Sequence, residues 1–481
     1  MKLGGSIRIV GLLNIGFSLT MLPPLLVSAW YQDGQWLHFF KAFLIGFSGG
    51  LVVWLLARNQ DTTLRRKDGF VVVTLFWITL SLLGAMPFVF GPHLGFIDAL
   101  YEAVSGFTTT GSTILTHIDA LPRSMLYYRQ QLQWLGGMGL VVLAVAILPL
   151  LGIGGMRIYR AETPGPMKDE KITPRLASSA RALWVIYVSL TVACALAYWL
   201  AGMTPFDAIT HSFSTISTGG FSTHDASLGY FQSELIEVIA TVFMLCGAIN
   251  FSIHFTAFRN GSLSPYMRDV EVRSFLLFVL AALLMVASVL WLSGEYPSLP
   301  HALVNADFEV VSVITSTGFG ADDFTHWPLF LPVFLIFISF IGGCGGSTAG
   351  GMKVMRVLLL MKQGMREVDT LVHPRSVRPV KIGGRTLSER TVQAVWGFFA
   401  IYVVVFVLLT LAMMATGLDQ VSAFAAVATS INNLGPGLGE VAYNFASVSP
   451  AAKLISMVAM LLGRLEIFTI LVLFTPAFWL E

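Results

Sequence analysis

The stretch "TSTGFG", Thr315–Gly320, stands near the middle of the 481-residue chain, and altered copies of it occur elsewhere. Two copies are "TTTGS" at Thr108–Ser112 and "ISTGGF" at Ile216–Phe221, and a fourth, without the Thr-Gly pair, is "INNLG" at Ile431–Gly435. Strings that recur at intervals of about one hundred residues indicate an internal structural repeat. The anchor glycines of the four copies are Gly111, Gly219, Gly318 and Gly435.

The composition is that of a membrane protein. Hydrophobic residues make up 55% of the chain and charged residues 12%, with a mean hydropathy of +0.75, whereas soluble domains carry about 25% charged residues. The first apolar block lacks a cleavage pattern and is interpreted as a span. Apolar blocks of about 20 residues predict ten spans in all. They are Ile7–Ser28, Phe39–Ala57, Phe70–Phe90, Leu126–Leu151, Leu183–Ala201, Leu235–Phe258, Phe275–Leu292, Leu329–Leu360, Val392–Ala415 and Ala451–Phe478.

The basic residues predict the orientation. Lys and Arg follow every second span, in the connections at 58–67, 157–181, 259–273 and 353–390. The alternate connections at 203–234 and 294–329 contain neither residue. Because basic residues concentrate in cytoplasmic loops, we expect both termini in the cytoplasm and the Thr-Gly strings on the outer side.

Each string follows a short half-apolar segment. About 10–13 residues are too few to cross a membrane but enough for a re-entrant half-helix. An Asp at the start of each segment suits an N-cap or first-turn position. These residues are Asp98, Asp207, Asp307 and Asp419. Irregular backbone at membrane depth survives only where it is buried in protein or lines a cavity, so the turns are expected to face one another.

The predicted fold is an all-α polytopic membrane protein with ten transmembrane helices and four re-entrant pore half-helices, arranged in pseudo-four-fold repeats around a central ion pathway. Turns rich in Thr and Gly present main-chain carbonyls, and four such turns around one axis can replace the hydration shell of a cation. An extra pair of N-terminal spans occupies residues 1–68. The four pore repeats are 69–175, 176–268, 269–385 and 386–481.

Three longer stretches resemble a known family. They are "HSFSTISTGGFSTHDAS" at 211–227, "GGCGGSTAGGMKVMR" at 342–356 and "LLGRLEIFTILVLFTP" at 461–476. Each is similar to the bacterial Trk-type potassium uptake subunits, the TrkH family of the Trk/Ktr/HKT superfamily, and the resemblance covers essentially the whole chain. It implies a non-enzymatic protein of the bacterial inner membrane that takes up K⁺ through a pseudo-tetrameric pore in a single chain.

The resemblance also implies partners and ligands. The chain should form a homodimer within membrane lipid and be regulated by a cytoplasmic nucleotide-binding ring of the TrkA type. K⁺ is the transported ion, and neither an organic cofactor nor a nucleic acid is expected.

Carried over residue by residue, the resemblance assigns potassium coordination to the four turns. The fourth turn departs from the other three, so an asymmetric ring is expected. A Ser at the first glycine accompanies sodium transport in related plant transporters, so Gly111 favours potassium. The predicted filter residues are Thr109, Thr110, Gly111, Ser217, Thr218, Gly219, Thr315, Ser316, Thr317, Gly318, Ile431, Asn432, Asn433, Leu434 and Gly435.

A glycine-rich stretch, "IGGCGGSTAGG" at Ile341–Gly351, interrupts the eighth predicted span. Each glycine costs a helix interior about 1 kcal/mol relative to Ala, so a break is expected. Close helix packing through small residues is the alternative, and Met352 before Lys353 spoils a phosphate-loop pattern. By resemblance the stretch is an intramembrane gating loop. Its predicted gating residues are Gly342, Gly343, Gly345, Gly346, Ser347, Thr348, Gly350 and Gly351.

Arg464 is also predicted to take part in the gate. It lies in the middle of the last predicted span, where a charge costs at least about 2.5–3.5 kcal/mol unless it is paired or faces water. By resemblance it faces the permeation path and raises the barrier for K⁺. The alternative is a structural contact with Glu466 or a neighbouring carbonyl, although residues two apart lie on different sides of a helix.

Other charged groups allow two interpretations each. His211 and His224 flank the second turn, and either pack or assist it. Asp225 and Glu440 form either an outer funnel for cations or ordinary solvated caps. The connections Arg157–Arg181 and Lys353–Arg390 are expected to be docking surfaces, although topology alone or contact with anionic lipid would also explain their charge.

Two other functional classes remain as alternatives. A secondary transporter coupled to Na⁺ or H⁺ would also use broken helices, but it usually carries carboxylates within its spans, and here Glu466 is the mid-span candidate. A membrane-embedded enzyme would need clustered acids, bases or metal ligands, which the spans lack. A channel-like potassium pathway therefore explains the repeated turns best.

Overall fold

The structure, a computed structural model, describes residues 3–60, 66–139, 176–375 and 378–480. Helices dominate these ranges, and the strands β1 (Lys381–Ile382) and β2 (Arg385–Thr386) form a small antiparallel hairpin. The helices are α1 (Leu3–Ser18), α2 (Leu22–Tyr31), α3 (Trp36–Ala57), α4 (Arg66–Phe90), α5 (Phe96–Phe107), α6 (Arg123–Met138), α7 (Leu176–Leu200), α8 (Pro205–Ile216), α9 (Glu234–Ala248), α10 (Phe251–Asn260), α11 (Ser264–Arg268), α12 (Val270–Leu292), α13 (Leu299–Ile314), α14 (Leu331–Ser339), α15 (Val354–Val372), α16 (Glu389–Met414), α17 (Gln420–Ile431), α18 (Pro450–Arg464), α19 (Phe468–Leu471) and α20 (Pro476–Trp479).

The long helices have the character of membrane spans. Within the described ranges, 6 helices are long and apolar enough to cross a membrane, or 8 if each of two bent helix pairs counts as one span. Their outward faces are apolar, as at Val404, Leu408 and Leu411 of α16, which are more than half exposed. A mostly helical membrane protein is therefore confirmed, while ten spans and four half-helices stay a prediction.

Two of the predicted spans are bent rather than straight, which corrects the sequence interpretation. The span expected at Leu235–Phe258 divides into α9 and α10 at an angle of 100°, and the one at Ala451–Phe478 bends by 102° after α18. Asn250 ends the first bend by capping α10, since its side chain accepts a hydrogen bond from the Ser252 amide at 2.9 Å. At the second bend Glu466 has a φ of 51°, which a right-handed helix excludes.

Two other predicted spans are confirmed only in part. The break expected in the eighth span is present, because α14 ends at Ser339 and α15 begins at Val354. The fourth span begins as α6, but its continuation to Leu151 lies outside the described residues. The connection that follows, with the docking surface expected from Arg157, lies outside them up to residue 175.

Four helices precede the Thr/Gly turns, and we call α5, α8, α13 and α17 the inner helices. Asp98 and Asp207 occupy the first turns of α5 and α8, and Asp419 caps α17, as predicted. The prediction for Asp307 is wrong, because α13 already begins at Leu299 and Asp307 lies in its interior.

The inner helices pack in a cycle. Each one contacts the helix that follows the turn of the preceding repeat: α8 packs on α6, α13 on α9, and α17 on α14. The cycle closes because α5 packs on α18, which belongs to the last repeat. Helices α1 to α4 stand to one side and contact the cycle where α4 packs on α5 and α2 packs on α6. The four turns are therefore carried to a common centre by neighbouring repeats.

Candidate ion-coordination site

All four inner helices end in the same way. The residue after the helix cap adopts left-handed φ angles of 52–55° at Thr109, Thr218, Ser316 and Asn433. The next amide then donates back to the carbonyl five residues earlier at 2.8–2.9 Å, a Schellman closure, as from Thr317 to Ser312. Left-handed backbone at a residue other than Gly costs about 1–3 kcal/mol and persists only where the surroundings impose it. The ends of the four helices are thus held by tertiary structure.

A glycine with positive φ follows two residues after each left-handed residue. Its φ is 80° at Gly111, 80° at Gly220, 78° at Gly318 and 101° at Gly435. The anchor predicted at Gly219 is therefore wrong by one residue, because Gly220 has the conformation of the other three. Gly435 is the correct anchor of the fourth turn. We call the segments 108–111, 217–220, 315–318 and 432–435 together the turn ring.

The turn ring closes on itself. In every turn, a Cβ placed on the positive-φ glycine would collide with a main-chain carbonyl oxygen of the next turn. Only glycine permits an approach this close. The colliding pairs are Gly111 with the Gly219 oxygen, Gly220 with the Thr317 oxygen, Gly318 with the Leu434 oxygen, and Gly435 with the Thr110 oxygen, the last at 2.6 Å. The four turns therefore surround one axis and bring carbonyl oxygens from all four repeats together.

The two asparagines of the fourth turn replace the missing Thr-Gly pair. Asn433 donates from Nδ2 to Thr110 Oγ1 and to the Met460 carbonyl, each at 3.0 Å. Asn432 accepts from the Tyr402 hydroxyl at 2.6 Å and donates to Ser339 Oγ at 2.9 Å. The asymmetry expected of the ring is thus found in the side chains, whereas the backbone of the fourth turn follows the other three.

Polar groups hold the segment that leaves each of the first three turns. They lie seven residues before the left-handed residue, at Glu102, His211 and Glu309, where the fourth repeat has Ala426. Glu309 accepts from the amides of Ala321 and Asp322 at 2.8 and 3.0 Å. Glu102 accepts from the Ile114 amide at 3.2 Å, and His211 contacts Ser222 Oγ at 2.9 Å. Sequence reasoning missed both glutamates and left His211 open.

Helix α6 braces the second turn through buried polar side chains. Gln133 donates to the Gly219 carbonyl at 2.5 Å and accepts from the Phe221 amide at 3.0 Å. Arg129, which is 1% exposed, donates to Glu102 at 2.7 Å and to the Ser222 carbonyl at 3.1 Å. The pair Glu102–Arg129 therefore links the first inner helix to the second turn.

Replacing Arg129 with Met should strongly destabilise the protein. It leaves the Glu102 carboxylate buried without its cation, and breaking a buried pair in this way costs about 3–5 kcal/mol. Thermal unfolding in detergent measures the loss, and Arg123→Met, on the exposed part of the same helix, is the matched control. Adding Glu102→Gln to Arg129→Met should recover part of the loss. Equal unfolding of Arg129→Met and Arg123→Met would show that the pair stabilises nothing.

The Gly-rich loop, residues 341–351, lies against the turn ring on the side where the inner helices end, which we call the helix side. Thr348 Oγ1 donates to the carbonyls of Ile216 and Gly247, both at 3.0 Å. The Gly350 amide donates to Ser316 Oγ at 2.5 Å, and the Gly351 amide to the Asn432 carbonyl at 3.1 Å. The loop is not helical, so packing of an unbroken helix through small residues does not explain its glycines. It contacts the second, third and fourth turns at once.

Arg464, at the end of α18, connects the Gly-rich loop to the first repeat. Its guanidinium donates to the Thr348 carbonyl at 2.9 Å, and to the carbonyls of Gly136 and Gly137 at 2.5 and 3.0 Å. It therefore ties the Gly-rich loop to the end of α6. These three hydrogen bonds are the contact with neighbouring carbonyls that the sequence offered as an alternative. Glu466 pairs with Arg356 at 2.7 Å.

One carboxylate ties the middle of the Gly-rich loop to the start of α15. Glu271, at the start of α12 and largely buried, accepts from the amides of Gly345 at 2.7 Å and Met355 at 3.2 Å. Lys353, also buried, donates to the Ala349 carbonyl. A displacement of α15, which starts at Val354, would therefore be passed directly to the loop.

A second cluster lies on the opposite side of the turn ring, the predicted outer side. His224 donates from Nδ1 to the Asp119 carboxylate at 2.6 Å, and its Nε2 lies 3.6 Å from Asp207. Asp225 accepts from the Ile118 amide at 2.9 Å, so it links two loops. Burial alone lowers the pKa of His224, but its contacts with Asp207 and Asp119 outweigh burial, and the pKa lies above its ordinary value.

This cluster should make stability depend on pH. A histidine with a raised pKa contributes stability that is complete below the unfolded-state value and is lost as pH rises through the folded-state pKa. The pKa of Asp119 is lowered, because hydrogen bonds outweigh burial, so its contribution fails only in acid. Histidine changes its charge within roughly one pH unit of its pKa. Near pH 6 the melting temperature of wild type should therefore exceed that of His224→Gln. In alkaline solution the two melting temperatures should become similar. A constant difference across this range would contradict the assignment.

Comparison with known proteins gives one family and several similar chains. Residues 36–480 match the profile of the family TrkH, described as Cation transport protein. The chain is 54% identical over 484 residues to the Trk system potassium uptake protein TrkH of Vibrio parahaemolyticus, covering 100% of both chains. It is 53% identical to the protein of that name from Escherichia coli K12, covering 98% of this chain and 99% of that one.

Solved structures agree with the sequence comparison. The fold matches the crystal structure of the potassium transporter TrkH from Vibrio parahaemolyticus with a TM-score of 0.91 and 51% identity, and each chain is covered completely. More distant similarity extends to the Trk system potassium uptake protein TrkG of Escherichia coli K12, which is 43% identical over 96% of each chain.

Proposed function

The chain belongs to the TrkH family of cation transport proteins, and from this premise we propose that it takes up potassium across the bacterial inner membrane as the membrane component of a Trk system. The single observation that carries the proposal is the closed turn ring, in which a carbonyl of each turn lies against the glycine of its neighbour. Carbonyl oxygens from four repeats at one axis suit a monovalent cation that sheds its water.

Potassium would be bound by the turn residues themselves. The proposed ligands are main-chain and hydroxyl oxygens of the four predicted sets, with Gly220 added to the second. Buried side-chain oxygens of Thr109 and Asn433 have no hydrogen-bond partner among the described residues, which supports an ion or water as their missing partner. The Gly219 oxygen already accepts from Gln133, and a carbonyl retains a second lone pair.

The Gly-rich loop and Arg464 would form the gate. Both lie across the helix side of the ring and are held there by hydrogen bonds to three turns and to α6. A guanidinium in this layer repels cations, so ions would pass only after the loop and Arg464 withdraw together. The regulatory cytoplasmic ring of the TrkA type would act through α15, which begins three residues after the loop.

The remaining features of the proposal follow the predicted topology. Four repeats, at 69–175, 176–268, 269–385 and 386–481, would surround the pathway, with both termini in the cytoplasm. Two copies of the chain would form a homodimer. The alternative is a transporter coupled to Na⁺ or H⁺, for which the buried Glu309, whose Oε2 lacks a hydrogen-bond partner within the described residues, is the most suitable carboxylate.

Uptake of ⁸⁶Rb⁺ into liposomes that contain the purified chain tests both functions. Under a potassium gradient alone, K⁺ and unlabelled Rb⁺ should compete with ⁸⁶Rb⁺ more strongly than Na⁺ does. A sodium or proton gradient should change the uptake rate only through its effect on the membrane voltage. Glu309→Gln should then still conduct. The contrary result is concentrative uptake that a sodium or proton gradient drives at zero voltage and that Glu309→Gln abolishes. That result would show coupled transport and contradict the channel-like pathway. Absence of selectivity for K⁺ over Na⁺ would contradict the proposed filter.

A further inference from the structure

A cavity outside the turn ring has the chemistry of a cation site. It has a volume of about 250 Å³ and lies between α9, α12 and α13. Three carboxylates line it, those of Glu234, Glu237 and Asp307, and the described lining contains no Lys, Arg or His. We call it the acidic pocket. Its charge is therefore not balanced by the side chains that line it.

A buried hydroxyl in the acidic pocket also lacks a partner. Thr241 lines the pocket and is 6% exposed, and its Oγ1 makes no hydrogen bond to any described residue. Buried polar atoms are nearly always paired. A threonine hydroxyl can accept a hydrogen bond from an ammonium group, so Thr241 and the carboxylates select for the same kind of ligand.

The geometry of the pocket favours an ammonium group over a bare metal ion. No three of the described acidic, His or Cys side chains are close enough together to hold a metal. The volume exceeds that of a single ion and could hold about eight waters, at ~30 Å³ each. An alkylammonium group with its first carbons, surrounded by separate carboxylates, fits such a space.

The mouth of the pocket is apolar. Val238 of α9 and Val304 of α13 line the pocket and are 51% and 43% exposed, and Leu283 of α12 lies beside them. Helix α12 is one of the apolar helices long enough to span a membrane. An occupant that reaches the carboxylates from this side therefore carries hydrocarbon along these residues. Amphiphiles that carry acyl chains and a head group ending in an ammonium group meet both requirements.

We propose that the acidic pocket binds the primary ammonium headgroup of an aminophospholipid of the phosphatidylethanolamine type, with Glu237 and Asp307 as its main counter-charges and Thr241 as a hydrogen-bond acceptor. The acyl chains lie along Val238 and Leu283. Binding at this place would stabilise α13, the inner helix that carries the third turn. The inference concerns binding alone and does not depend on the ion that the protein transports.

The test is thermal unfolding of the delipidated full-length protein in detergent, with added phosphatidylethanolamine, phosphatidylglycerol or free ethanolamine. Phosphatidylethanolamine should raise the melting temperature of wild type by several degrees, and phosphatidylglycerol should not. Glu237→Gln, Asp307→Asn and Thr241→Val should each fold and lose most of this shift. Glu295 is an exposed carboxylate outside the pocket, so Glu295→Gln should retain the shift. Native mass spectrometry should show the lipid on wild type and Glu295→Gln only.

Three results would overturn the proposal. Equal shifts with the two phospholipids would show that the ammonium group is not recognised. An equal shift with free ethanolamine or with RbCl would show that a soluble cation, not a lipid, fills the pocket. Pocket variants that bind lipid normally but alter the oligomeric mass would show that a second copy of the chain covers this surface.

Discussion

Replacing Gly318 with Ala should strongly reduce ⁸⁶Rb⁺ uptake. Gly318 has a φ of 78°, and a Cβ on it would collide with the Leu434 carbonyl oxygen of the next turn. A side chain at this backbone conformation costs about 1–2 kcal/mol, and a collision with a backbone atom cannot be relieved by a change of rotamer. The fourth turn must therefore move away. Because each 1.36 kcal/mol of barrier is tenfold in rate, we expect a loss of roughly tenfold or more.

Gly320 provides a matched control within the same "TSTGFG" stretch. It has no positive φ, and a Cβ there would lie 4.0 Å from its nearest neighbour, the Asp322 carbonyl. Gly320→Ala should therefore conduct at nearly the wild-type rate and with wild-type selectivity. The protein level in the membrane and the melting temperature are measured for both variants. If Gly318→Ala folds and takes up rubidium as Gly320→Ala does, the third turn does not form part of the conduction path.

Replacing Arg464 with Ala should increase conductance in liposomes that contain the purified chain without the proposed regulatory ring. The change removes a cation from below the turn ring and three hydrogen bonds that hold the Gly-rich loop to α6. A hydrogen bond to a charged donor is worth about 1.5–3 kcal/mol. Losing even one should therefore shift the equilibrium between the closed and open states tenfold or more toward the open state. Reduced uptake by a folded protein would contradict a barrier role.

Two companion variants separate the charge of Arg464 from its contacts. Arg464→Lys keeps the charge but cannot bridge several carbonyls in the fixed geometry of a guanidinium. Thr348→Val leaves Arg464 intact and removes the hydroxyl that bonds Ile216 and Gly247. If repulsion dominates, Arg464→Lys stays closed and Thr348→Val opens little. If the hydrogen bonds dominate, both should open.

The repeated architecture could be predicted from the sequence because it depends on local signals. Hydropathy located the long helices, and three of the four Asp residues mark the start of an inner helix as expected. The break at Ile341–Gly351 followed from its glycines. A polar residue, any residue and glycine form the common pattern of all four turns, as in Ser316 to Gly318. That pattern would have identified Gly220 and given the register of the fourth turn.

The rest depends on tertiary contacts that leave little trace in the sequence. Gly219 and Gly220 are adjacent glycines, and only the approach of the Thr317 carbonyl distinguishes Gly220. The bend after Arg464 lies at residues other than Gly and Pro. Glu102 and Arg129 are far apart in sequence, and neither looks unusual until the folded chain buries both. Glu271 holds the Gly-rich loop from more than seventy residues away.

Anomalous diffraction from crystals grown with Rb⁺ would show where a permeant cation binds. We expect a peak on the axis of the turn ring, surrounded by oxygens of the four segments 108–111, 217–220, 315–318 and 432–435. The peak should disappear in Gly318→Ala crystals and remain in those of Gly320→Ala. A rubidium peak between two repeats, with none inside the ring, would show that the turn ring is not the ion-binding site.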